Sequence, residues 1–182
     1  MASNIKCFIC SSHFASEILL GDHFLRTHDV ARLETAMIPK VQYDDYDKLN
    51  KAVTHIFVYG TLRPDSKSSW AKRFCEAKGV SYKKGTIDHA KLFLDKRINF
   101  MVAICSQDNH KKDDVVHGYL ITSTSFKKLV EDADDIECYP KLYDRVIVDA
   151  KDGNGDIVKA FLYTRKYDTE MSHIPGGDYL KS

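Results

Sequence analysis

The chain has 182 residues, 43% of them hydrophobic and 29% charged, the balance of an ordinary globular protein rather than a disordered one. A formal charge of +1, from 27 basic and 26 acidic side chains, gives no general electrostatic reason to bind nucleic acid or membrane. No apolar run approaches the roughly 20 residues that span a bilayer, and Met1 to Cys7 lacks the apolar core of a signal peptide, so a reducing, cytoplasmic setting is expected.

Five cysteines, an odd number, argue against a disulfide framework. Two of them open a metal-ligand spacing instead: Cys7-x2-Cys10-x12-His23-x4-His28. Thiolate and imidazole suit tetrahedral zinc, a Cys-x-x-Cys turn presents both sulfurs, and histidines five apart, a little over one helical turn, can close the site. With Phe14 and Leu20 as filler, residues 5–28 resemble the two-Cys two-His zinc finger. The resemblance implies a small ββα unit over residues 1–30 with one structural zinc, since no coordination position is left open for water. In that family bases are read from helix positions that fall here on Ser16, Leu19 and Asp22. Leucine donates no hydrogen bond and aspartate is repelled by phosphate, so the face carrying Ile18 and Leu19 suits a protein partner better than DNA.

Residues 31–53, with Pro39 and the acidic stretch Tyr43 to Asp47, read as a linker, and a second domain occupies 54–182. Ile56 to Tyr59 is a short apolar, β-favouring run stopped by Gly60, hence a buried strand. Ser66 to Ala77 suits a helix with Trp70, Phe74 and Ala77 on one face. Lys91 to Leu94, Phe100 to Cys105 and Val115 to Thr122 read as strands, with Gly118 marking a bulge or close approach. Thr122 to Ser125 offers helix N-caps ahead of Phe126, Leu129, Val130 and Ala133 at helical spacing. Asp152-Gly153-Asn154-Gly155-Asp156 between Tyr143–Ala150 and Ile157–Tyr163 signals a hairpin, and the tail around Pro175-Gly176-Gly177 reads as irregular.

After the first strand, Gly60 lets the chain turn sharply and bring backbone N–H groups close to a ligand. A helix starting just beyond would add its free N–H groups to a receptor for a carboxylate or oxyanion. The wording of the segment, Phe57-Val58-Tyr59-Gly60-Thr61-Leu62-Arg63, resembles the signature loop of the gamma-glutamyl cyclotransferase-like superfamily, nearest its gamma-glutamylamine cyclotransferase and avirulence-induced-gene-like branch. Val116 to Leu120, Asp134 to Glu137 followed by Tyr143-Asp144-Arg145, Ala160 to Tyr163, and Gly177-Asp178-Tyr179 agree with the family in order.

The resemblance implies an α+β fold: a mixed β-barrel with flanking helices. It implies a transferase- or lyase-type reaction that cyclises a small gamma-glutamyl substrate to 5-oxoproline, with no cofactor for catalysis. Glu137 would be the general acid/base, Tyr143 its hydrogen-bond partner, and Tyr59, Gly60, Thr61, Leu62 and Arg63 the substrate loop. Pro64 to Trp70 stands where many relatives carry glycine followed by a pair such as Asn-His. That difference favours a second reading, an inactive fold that binds a small ligand or a protein, with the zinc finger as partner contact.

Overall fold

The computed structural model describes residues 5–6, 13–14, 53–105 and 114–181. The chain divides into two units, Met1–Pro39 and Lys40–Ser182. In the first, β1 (Ile5–Lys6) and β2 (His13–Phe14) pair antiparallel, Ile5 opposite Phe14 and Lys6 opposite His13. Cys7, Cys10, His23 and His28, the residues expected to hold zinc, lie outside the described residues, as does nearly all of the expected linker.

The second unit is built on a closed barrel. Its strands are β3 (His55–Val58), β4 (Val80–Asp88), β7 (Val115–Ser123), β8 (Asp144–Asp152) and β9 (Ile157–Thr164), in the order β3-β7-β4-β8-β9. Strand β3 runs antiparallel to β7 and parallel to β9. Covered on both faces, it needs a continuous apolar sequence, and its alternation feeds two cores. Phe57 joins Ile87, Val116, Leu120, Ala150, Ala160 and Leu162 inside the barrel. Ile56 and Val58 face a second core under the helices. Gly118 is required here: a Cβ would lie 2.3 Å from the Val58 carbonyl oxygen and 2.8 Å from Phe57 Cζ. The glycine expected to mark a bulge or close approach marks a close approach.

Helix α1 (Ser69–Cys75) and helix α2 (Phe126–Ile136) cover the outer core with Ala71 and Phe74, and with Leu129, Val130 and Ala133. α1 is shorter than its sequence suggests. It is capped by Ser68 Oγ, which accepts from Trp70 N at 3.2 Å, and it stops before Ala77, which is exposed. Ser125 does occupy the α2 N-cap, but its hydroxyl makes no capping bond. A second sheet, in the order β10-β5-β6, consists of β5 (Ala90–Asp95), β6 (Phe100–Cys105) and β10 (Met171–Ile174). The outer edge of β6 is sewn to the barrel by side-chain hydroxyls. Tyr143 Oη donates to the Met101 carbonyl at 2.9 Å and Thr164 Oγ1 to that of Ala103 at 2.6 Å. β4 and β10 fall where no strand was expected. Among the described residues no helix is long and apolar enough to cross a membrane.

Candidate active site

Glu137 is the C-cap of α2. Beyond it the chain leaves the helix through a left-handed residue, Cys138 (φ 52°). Cys138 N donates to Asp135 O at 3.3 Å and Tyr139 N to Asp134 O at 2.9 Å. This pair of bonds is a Schellman closure, normally built on glycine. The helix end is also held by its side chains. Arg145 Nη1 donates to Asp134 Oδ1 at 2.6 Å, Tyr163 Oη donates to the same oxygen at 2.6 Å, and the Arg145 guanidinium lies over the Tyr139 and Phe161 rings at 4.6 and 4.8 Å. The Asp-x-x-Glu…Tyr-x-Arg wording therefore has a mechanical meaning: aspartate and arginine clamp the turn that carries the glutamate.

The Glu137 carboxylate has no hydrogen-bond or ion-pair partner among the described residues, and burial alone pushes its pKa up to about 7. A carboxyl group near neutrality can both take and give a proton. Tyr59 and Tyr143 lie close enough to feel its charge, which adds to burial in raising both phenols well above the ordinary tyrosine value. Neither phenol donates to it: Tyr59 Oη donates to the Tyr163 carbonyl at 2.6 Å, and Tyr143 Oη to Met101. The Tyr143–Glu137 hydrogen bond expected from sequence is thus not made in this structure; the two are neighbours.

The loop after β3 comes to the same place. A Cβ on Gly60 would meet Met101 Cβ at 3.3 Å, so the loop lies against the residue whose carbonyl Tyr143 holds. Gly60 to Arg63 is one turn, closed by Arg63 N donating to Gly60 O at 3.1 Å; a second follows through Ser66 N and Arg63 O at 2.9 Å. Leu62 is buried, and its carbonyl accepts from Cys75 Sγ at 3.4 Å. Among the described residues the N–H groups of Gly60, Thr61 and Leu62 have no acceptor. No helix begins just beyond the loop, contrary to expectation; α1 starts at Ser69 and its first turn is capped by Ser68. The open amides are therefore those of the turn itself. Arg63 is buried and engaged by Asp65 and Asp178. Asp65, Asp178 and the Met101 carbonyl are parts of this neighbourhood that the sequence did not mark as site residues. Asp178 alone left a trace, in the Gly-Asp-aromatic wording of the tail.

A closed mixed barrel with two flanking helices, a turn of open amides and a lone carboxyl group at a helix end define an α+β protein of the cyclotransferase-like superfamily. Residues 56–181 match the family described as gamma-glutamyl cyclotransferase, AIG2-like, and the chain belongs to it. Solved structures agree on the fold. The crystal structure of an AIG2-like protein from Mus musculus is 22% identical, with a TM-score of 0.55 over 70% of this chain and 88% of its own. A solution structure of an Arabidopsis thaliana protein is 20% identical, with a TM-score of 0.51 over 68% of this chain and 76% of its own. Among curated proteins none matches.

Proposed function

We propose that this protein releases 5-oxoproline from gamma-glutamyl amines or peptides, with Glu137 as general acid/base. The observation that carries this reading is the half-buried Glu137 carboxyl group, without a hydrogen-bond partner among the described residues and near neutrality in the same neighbourhood as the open amides of Gly60 to Leu62. In its ionised form Glu137 takes a proton from the substrate α-ammonium. The freed amine attacks the γ-carbonyl carbon; the new C–N bond closes a five-membered ring, and the carbonyl becomes an oxyanion. The loop amides are the donors suited to that oxyanion and to the α-carboxylate. Collapse breaks the bond to the leaving nitrogen, which receives the proton held by Glu137; the ring nitrogen gives up its second proton to the freed Glu137 carboxylate, which passes it to the released amine, so that the products are 5-oxoproline and an ammonium. Attack within one molecule needs orientation more than activation, which a rigid turn supplies. The test is 5-oxoproline release from gamma-glutamyl amino acids and gamma-glutamyl-ε-lysine. Turnover that vanishes in Glu137→Gln supports the reading. No turnover of any of them, or full activity in Glu137→Gln, refutes it and leaves the binding-module reading favoured by Pro64 to Trp70.

The N-terminal unit we assign one structural zinc on Cys7, Cys10, His23 and His28. The donor set suits zinc, and Cys7 and Cys10 fall in sequence between the paired strands β1 and β2. So short a unit cannot bury enough apolar surface to fold alone; zinc supplies on the order of 10 kcal/mol in such peptides. Metal analysis should find one zinc per chain, lost in Cys7→Ser, and chelation should leave 5-oxoproline release intact. Zinc retained by Cys7→Ser refutes the assignment. The face carrying Ile18 and Leu19 is the surface proposed for a protein partner.

A further inference from the structure

We propose that Asp65 and Asp178 act through Arg63 as positioning residues, a brace by which the C-terminal segment fixes the amide turn Gly60–Leu62 and sets affinity for the glutamyl half of the substrate. The substrate named here rests on the function proposed above; the brace itself rests on geometry alone. Arg63 is 5% exposed, and every guanidinium nitrogen is engaged. Nε and Nη2 donate to the two oxygens of Asp65 at 2.9 and 2.8 Å, and Nη1 donates to Asp178 Oδ1 at 2.6 Å. The plane lies over the Tyr119 ring at 5.6 Å, and Tyr119 Oη donates to Asp65 Oδ2 at 3.1 Å. A planar donor bonded on two sides cannot swing without leaving its own buried charge unpaired, so this arginine is held in place.

That rigidity passes directly to the loop, because the backbone N–H of the same Arg63 closes the turn on Gly60. The far end of the brace is equally fixed. Gly177 holds φ +60°, and a Cβ on it would fall 1.8 Å from Val115 O. Its carbonyl accepts from His117 N on β7 at 2.8 Å. Asp178 Oδ1 also accepts from Leu180 N at 3.2 Å. The tail is thus anchored to the barrel one residue before it grips Arg63. Arg63 is buried with three of its five N–H groups held by Asp65 and Asp178, which leaves a carboxylate-bearing ligand to the open amides, whose aim the brace determines.

The experiment compares wild type, Asp178→Ala, the near-isosteric Asp178→Asn and the conservative Asp178→Glu. It reads kcat and KM for 5-oxoproline release from two gamma-glutamyl substrates with different amine halves, the thermal midpoint, and the amide resonances of Gly60, Thr61 and Leu62 in labelled protein. The expected result is a KM raised about 10- to 100-fold for both substrates alike in Asp178→Ala. The pH limb near neutrality is kept, the loop resonances shift, and Asp178→Glu partly restores KM. Should Asp178→Ala fail to fold, Asp178→Asn carries the same expectations. Loop resonances left in place, or a KM unchanged while the midpoint falls, would overturn the brace. If wild type turns over no gamma-glutamyl compound, the cyclotransferase reading fails, and the loop resonances still decide the brace.

Discussion

Replacing Glu137 by glutamine keeps the shape of the side chain and removes a charge that the folded protein accommodates badly. The burial-raised pKa, about 7 against an ordinary 4.5, fixes the sign. Below pH 4.5 both folded and unfolded chains carry the proton, and the carboxyl group costs nothing. From pH 4.5 to 7 the unfolded chain releases the proton while the folded chain keeps it, so wild-type stability falls as pH rises. Above pH 7 the full penalty is in place. An interval of about 2.5 pH units at 1.36 kcal/mol each is on the order of 3 kcal/mol. Glutamine never ionises and escapes it. Glu137→Gln should therefore melt roughly 5–10 °C above wild type at pH 8, and the two should converge near pH 4.5. In the same preparation 5-oxoproline release should drop about 10²- to 10⁴-fold. In wild type the rate should rise through about pH 7, as the base form appears. Thermal unfolding of both proteins from pH 4.5 to 8.5 measures the effect. A midpoint difference that does not change with pH would refute the reasoning, because it would mean that the carboxyl group is not buried unpaired.

Cys138 holds the left-handed position that closes α2, where a side chain costs roughly 1–2 kcal/mol and glycine does not. Cys138→Gly should raise stability by about 0.5–1 kcal/mol in urea unfolding without loss of activity. Asp134 and Arg145 form a largely buried ion pair, so Asp134→Ala should cost about 1–3 kcal/mol and lower activity by loosening the turn that carries Glu137. Asp95 is fully buried; burial alone would raise its pKa, but Arg97 and Arg165 outweigh it and hold the carboxyl group below its ordinary value. Its contribution to stability is present above the unfolded value of 3.8 and is lost as pH falls through the lower folded one. Asp95→Asn should flatten the acid limb of the stability curve.

The elements legible in the sequence were those whose local pattern agrees with their surroundings. The Ile56 to Tyr59 run is apolar throughout because both its faces are covered. The hairpin over Asp152 to Asp156 announces itself by Gly155, which takes φ +89°, and by Asp152, whose Oδ1 accepts from Asn154 N and Asp156 N. Strand β4 carries no such signal. Ser81 to Lys84 are all exposed, and the strand exists because β7 pairs with it along its whole length, a partner no local window contains. Short β10 was hidden in a tail rich in turn residues. For the site, the loop and Glu137 were legible through their wording. The carbonyl that takes the Tyr143 proton and the two carboxylates on Arg63 come from distant segments. One aspartate among 26 acidic residues says nothing about which arginine it meets.

The parallel pairing of β3 with β9 has a consequence for how the protein is made. β3 is the first barrel strand to be synthesised and β9 the last, with His55 opposite Ala160 and Phe57 opposite Leu162. Until the growing chain passes Thr164, one side of an apolar strand has nothing to pair with, and the sheet remains an open ribbon that invites association with other chains. Pairing across so long a separation is slow, because loop closure must precede any gain. A chain interrupted before β9 would already contain the Gly60 turn and Glu137. It would have no cylinder to bring them to one place, so the candidate site assembles only once β9 has been made.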